Sequence, residues 1–127
     1  MTEEEIVAHG KEVFEKCYSG IVPVPQNLPP GSFGELNMKM FHEIWGDETL
    51  SFRDKRLLVI GILAGRGADP SLFTIHARSA LRNRELSAAE LRAIMPVALY
   101  YAGAPNASPI FLAAEKLLAE TQEGKDA

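Results

Sequence analysis

The chain has little of what marks redox, secreted, membrane or nucleic-acid-binding proteins. It has one cysteine, Cys17. That excludes an internal disulfide and a Cys-x-x-Cys thiol pair, and it fits a reducing compartment. Neither charge dominates: 13 Lys and Arg oppose 17 Asp and Glu. Such mild acidity exerts no pull on nucleic acid or an anionic membrane surface. No apolar run is long enough to cross a bilayer. The start is acidic (Glu3, Glu4, Glu5), the opposite of a basic leader peptide. A cytoplasmic protein without nucleic-acid or membrane partners is expected. Period-two alternation is missing, so no strand is predicted. There is no Walker loop, no G-x-S-x-G and no dinucleotide fingerprint. Gly65-Arg66-Gly67 follows a helix and reads as a turn. His9, His42 and His76 lack metal-ligand spacing. Neither metal nor cofactor is expected.

What is present is helical. At 127 residues and 46% hydrophobic content the chain has the size and composition of one domain with one core, spanning 1–127. Thr2 with Glu5, Ser32 with Glu35 and Ser87 with Glu90 form capping boxes, each followed by apolar residues at helical spacing. Asp69-Pro70 opens another helix, running to about Asn83. Ser51 and Ser108-Pro109 mark two more starts. Gly20, Gly46 and Gly103 are stops. Pro23, Pro25, Pro29 and Pro30 forbid a helix over 21–31 and predict an extended arm. Pro96 predicts a kink in its helix. Residues 122–127 are polar and predicted to fray. The result is an all-α chain of about six helices. The apolar run Leu57–Ala64 predicts a central helix, forming an antiparallel hairpin with the helix that begins at 70.

Four segments stand in a telling order. Arg53-Asp54-Lys55-Arg56 leads the apolar run to Ala64. Ile75-His76-Ala77-Arg78-Ser79-Ala80-Leu81-Arg82-Asn83 follows. Then come Ser87-Ala88-Ala89-Glu90-Leu91 and Tyr101-Ala102-Gly103-Ala104-Pro105-Asn106. Over about residues 33–120 this order and spacing resemble the carboxymuconolactone decarboxylase family, within the alkylhydroperoxidase D-like superfamily. Residues 1–32 form an N-terminal helix and proline-rich arm ahead of it. The resemblance implies an all-helical homo-oligomer, a trimer or hexamer, without a cofactor. Its implied activity is loss of carbon dioxide from a small carboxylated lactone in aromatic-compound breakdown. The superfamily's peroxidase branch uses two cysteines seven and four residues before the matching histidine. Here Asp69 and Leu72 stand there, and Leu57 stands near its relay glutamate. The paired-cysteine chemistry is therefore absent, and a thiol peroxidase that uses Cys17 alone, without a resolving partner, is a third reading that is not expected. Two departures touch the decarboxylase branch as well. Leu72 replaces an expected glutamate, and Arg84 replaces a glycine.

His76 is the candidate catalytic residue, because an imidazole exchanges protons near neutral pH and the carbanion left by carbon dioxide must be protonated. It also reads as a satisfied core histidine. Arg53 is the candidate carboxylate anchor, since guanidinium offers a planar fork. Arg78, Tyr101 and Asn106 complete the candidate substrate-binding set, the last two through the Tyr101–Asn106 turn. His42 could share the cavity of His76. Cys17 reads as packing. A second reading is a catalytically silent oligomeric member that binds or scaffolds, favoured by the departures at Leu72 and Arg84.

Overall fold

The computed structural model describes residues 1–124, with side chains through Thr121. Among the described residues there are six α-helices and no strand. The chain divides into two compact units, Met1–Phe52 and Arg53–Ala127.

In the first unit, helix α1 (Glu3–Tyr18) opens on the full capping box. Thr2 Oγ1 accepts from the Glu5 N–H at 3.1 Å, and Glu5 Oε1 accepts from the Thr2 N–H at 3.0 Å. The arm over 21–31 carries no helix, as its prolines require. Helix α2 (Phe33–Met40) is capped by Ser32. Its Glu35 carboxylate accepts from the Gly31 N–H at 2.8 Å rather than from Ser32, so half of the expected box forms. The helix widens into a π-helical turn, Phe41–Trp45, closed by the Gly46 N–H on the Phe41 carbonyl at 2.9 Å. Phe14, Phe41 and Trp45 are buried in the aromatic core of this unit, with Tyr18 against Phe14 and Phe41. A Cβ on Gly10 would run into the Met38 backbone carbonyl, so α1 and α2 meet almost backbone to backbone.

The second unit holds α3 (Phe52–Gly65, entered from the first unit), α4 (Pro70–Arg82), α5 (Ala88–Ala102) and α6 (Ala104–Gly124). Its core gathers Ile60 and Ala64 with Phe73, Ala77, Leu91, Ala114 and Leu117. Burying this apolar surface is the main stabilising term, roughly 25 cal/mol per Å² removed from water. The apolar run of α3 is only partly covered: Leu58 and Ile62 remain 56% and 53% exposed.

Both interhelical turns around α4 are Schellman motifs. At the end of α3, Gly67 takes φ 64°, and the N–H groups of Gly67 and Ala68 return to the carbonyls of Ala64 and Leu63. At the end of α4, Arg84 takes φ 57°, and Arg84 and Glu85 return to Leu81 and Ala80. The left-handed position explains why a glycine is expected at 84.

The last helix corrects an expectation. It begins at Ala104, not at Ser108, directly after Gly103 at φ 87°. Pro105 lies in the first turn, where no N–H is needed. The early start carries Ala107 into the core. Helix α6 is described as far as Gly124; the rest of the polar stretch 122–127 lies outside the described residues.

Candidate functional site

A cavity of about 530 Å³ lies between α3 and α5. Helix periodicity builds both walls. Arg53, Leu57, Gly61 and Gly65 repeat every fourth residue on α3. Glu90, Ile94, Val97 and Tyr101 recur at helical spacing on α5. Leu86 and Ile110 also contribute to the lining.

Its ionic groups are Arg53 and Glu90. Arg53 Nη2 donates to Glu90 Oε2 at 2.9 Å, and Arg53 Nε donates to the Glu85 carbonyl at 3.0 Å. Glu90 also accepts the Ser87 N–H in the capping box of α5 at 2.9 Å. That backbone bond, then Arg53, holds the Glu90 carboxyl below its usual range. Glu90 is therefore ionised near neutral pH and offsets the charge of Arg53. Both side chains are nearly half exposed, so the pair contributes little to stability.

Behind Arg53 lies a polar network that the sequence did not reveal. Arg56 is completely buried. Its Nε and Nη2 grip Glu85 Oε1 and Oε2 at 2.7 and 3.1 Å, a bidentate fork. Its Nη1 lies 3.0 Å from His76 Nδ1. Guanidinium has no acceptor, so Nδ1 of His76 receives this bond and the neutral ring carries its proton on Nε2. Asn83 Nδ2 donates to Glu85 Oε2 at 3.3 Å. Burial, reinforced by the Arg56 charge, lowers the His76 pKa from 6.5 to about 4.

Of the residues singled out from sequence, Arg53 and Tyr101 share the cavity. His76 is buried, is not among the lining residues, and meets the guanidinium of Arg56 rather than that of Arg53. Asn106 also stands outside the lining. Its Nδ2 donates to the carbonyls of Gly65 and Ala102, each at 3.4 Å, tying the end of α3 to the end of α5. Arg78 reaches Glu120 on α6 at 3.2 Å. His42 pairs with His9 in the first unit, Nδ1 to Nδ1 at 2.9 Å. Cys17 is fully buried. Arg56 and Glu85 were missed because Arg56 looked like one of several helix-opening arginines, and Glu85 lies in a turn without a motif. The one available signal was an arginine in an otherwise apolar α3 stripe: Arg56, Ile60 and Ala64 are spaced to share a buried face.

Residues 32–116 match the sequence model of the Carboxymuconolactone decarboxylase family. The chain belongs to that family. It lacks the cysteine pair of the superfamily's peroxidase branch: Asp69 caps α4 through the Ser71 N–H at 2.8 Å, and Leu72 is a half-exposed residue of its first turn. No curated protein and no solved structure matches the chain. No helix among the described residues is long and apolar enough to cross a membrane. Among the same residues, no group of three or more His, Cys, Asp or Glu is arranged to hold a metal.

Proposed function

We propose that this family member is a cofactor-free lyase acting on a small carboxylated lactone or related organic acid, bound in the α3–α5 cavity. The supporting observation is that Arg53 and Tyr101, two family-pattern residues, line one apolar cavity of about 530 Å³. Cavities of that size and character are common small-molecule sites. An apolar wall disfavours a hydrated carboxylate. The C–C bond to the carboxylate breaks, carbon dioxide leaves, and the electron pair passes into the conjugated carbonyl, where the N–H groups of Arg53 stabilise the developing charge. The electron pair then returns from the carbonyl to carbon, which takes a proton from solvent water and so restores the carbonyl.

In this reading His76 acts from behind the wall as a positioning residue. It contacts Arg56, Arg56 grips Glu85, and the Glu85 carbonyl orients Arg53. Exposed apolar side chains at Leu58, Ile62 and Leu112 support the proposed homo-oligomer. A single species at monomer mass by light scattering would remove that part.

The test is turnover of a carboxylated muconolactone, followed by carbon dioxide release, in the wild type and in Arg53→Met. The lyase reading expects turnover that falls about 100-fold or more in the variant, the scale of losing one charge-stabilising donor. A second reading is favoured by the burial of His76 away from the cavity: a family member that binds without chemistry. Ligand binding that Arg53→Met weakens, with no wild-type turnover, selects it.

A further inference from the structure

The α3–α5 cavity is a trough in which an acid and a cation stand side by side. Among the described residues that line it, Glu90 is the one acid and Arg53 the one cation. Glu90 Oε2 accepts from Arg53 Nη2 at 2.9 Å, and Oε1 accepts the Ser87 N–H at 2.9 Å. Both groups keep unused capacity. Arg53 reaches Glu85 and Glu90 through Nε and Nη2, which leaves the N–H groups of Nη1. Each carboxylate oxygen can accept a second bond. The two side chains are 44% and 48% exposed, so a ligand reaches them without opening the core.

Helix spacing sets apolar residues beside this pair. Leu57 follows Arg53 by one turn of α3, and Ile94 follows Glu90 by one turn of α5. Gly61 stands one turn beyond Leu57, and a Cβ there would meet nothing within 4 Å. A small ring therefore has an apolar seat next to an acid and a cation.

Such a pair can move a proton on carbon. A carbonyl held by a cation acidifies the C–H bonds next to it, because the electron pair released from carbon passes to oxygen. A carboxylate suffices as the base when that carbon is flanked by both a carbonyl and a double bond. Glu90 is ionised near neutral pH and is therefore present in its basic form. His76 does not serve this step, since it lies outside the lining and against Arg56.

We infer that the trough also catalyses double-bond migration in unsaturated lactones, with Glu90 as the catalytic base and Arg53 as the anchor of the enolate oxygen. Glu90 takes a proton from the carbon between the carbonyl and the double bond. The electron pair of that C–H bond enters the conjugated system, the carbonyl oxygen becomes anionic, and the Nη1 N–H groups of Arg53 hold it. The Glu90 carboxylic acid then returns the proton to the far carbon of the dienolate. The carbonyl re-forms, now conjugated with the double bond, and no co-reactant is needed. This activity rests on the α3–α5 cavity being the ligand site of the proposed function, with Arg53 at the oxygen, and differs from the lyase step in requiring Glu90.

The probe is α-angelica lactone, whose ring double bond lies one carbon away from the carbonyl. The wild-type full chain converts it to the conjugated isomer faster than buffer does, followed by proton NMR, and in heavy water deuterium enters the ring. Glu90→Gln keeps the capping box, because glutamine serves at that position, and an exposed ion pair contributes little to stability. Its melting temperature is therefore unchanged, while kcat falls about 100-fold with the loss of the base. KM stays at the wild-type value because Arg53 still binds the carbonyl, a division that a merely structural ion pair would not produce. A wild-type rate no higher than that of buffer overturns the inference, as does a Glu90→Gln variant with the wild-type kcat. Turnover of the carboxylated muconolactone is measured on the same proteins and on Arg53→Met. Arg53-dependent decarboxylation without isomerisation removes the inference and leaves the proposed lyase standing. Glu90-dependent isomerisation without decarboxylation removes the lyase and supports the inference.

Discussion

Arg56 Nη1 and His76 Nδ1 stand 3.0 Å apart in the interior of the second unit, and this contact decides what the imidazole can do. The cation can only donate, so the ring accepts on Nδ1 and resists a second proton. A histidine held neutral in this way can orient a neighbour or donate from Nε2, and it is a weak base near pH 7.

Stability should therefore depend on pH between the unfolded and folded pKa values of His76, 6.5 and about 4. Below 6.5 the unfolded chain takes up a proton that the folded chain refuses, so stability falls as the pH falls. The loss approaches about 3 kcal/mol near pH 4, because each pH unit crossed between the two values costs roughly 1.4 kcal/mol. Urea denaturation at pH 7 and pH 5, in the wild type and in His76→Gln, isolates this contribution. An NMR titration of His76 centred near 6.5 would refute it.

Glu85→Gln removes the charge that the buried Arg56 fork holds. Breaking one side of a buried pair leaves the other charge poorly compensated, at a cost of about 3 kcal/mol. The same variant disturbs the residue whose carbonyl orients Arg53, so Arg53-dependent ligand binding should weaken with it. A change in unfolding free energy below about 1 kcal/mol, the range of an exposed pair, would contradict this account.

Arg84 should be a site of easy stabilisation. It occupies the left-handed position of a Schellman motif at φ 57°, where a Cβ is disfavoured. Arg84→Gly is expected to stabilise the protein by about 1 kcal/mol and raise the melting temperature by a few degrees. An unchanged or lower melting temperature would mean that the arginine side chain contributes as much as its backbone costs.

Two glycine-to-alanine changes should act in opposite directions. At Gly61 the added methyl meets nothing within 4 Å, so the variant gains helix propensity, about 1 kcal/mol. At Gly10 the methyl is driven into the Met38 carbonyl, and α1 must move away from α2. Overpacking of that kind costs about 1–3 kcal/mol or more. Thermal denaturation of the two variants reads both signs, and equal shifts would contradict the proposed packing.

Local chemistry was legible wherever it is written in neighbouring residues. The Thr2 and Ser87 boxes, the Asp69-Pro70 start and the proline arm all appear as read, because caps and prolines act within four residues. Ser108-Pro109 misled for a related reason. Ala104-Pro105 opens a helix equally well, and burial of Ala107 favours the earlier start. The order of four motifs carried the family assignment.

From the sequence by itself came the helices, most of their ends, the missing thiol pair and the family, since each depends on residue type at short spacing. Only the tertiary structure decided which arginine meets His76, that Glu85 is its counter-ion, that His9 touches His42, and that Arg53 and Tyr101 stand in one trough. Those partners are 20 to 48 positions apart in the chain. No local signal links such distant residues. Their meeting is set by which helix faces pack, and burial then determines which of their charges and protons persist.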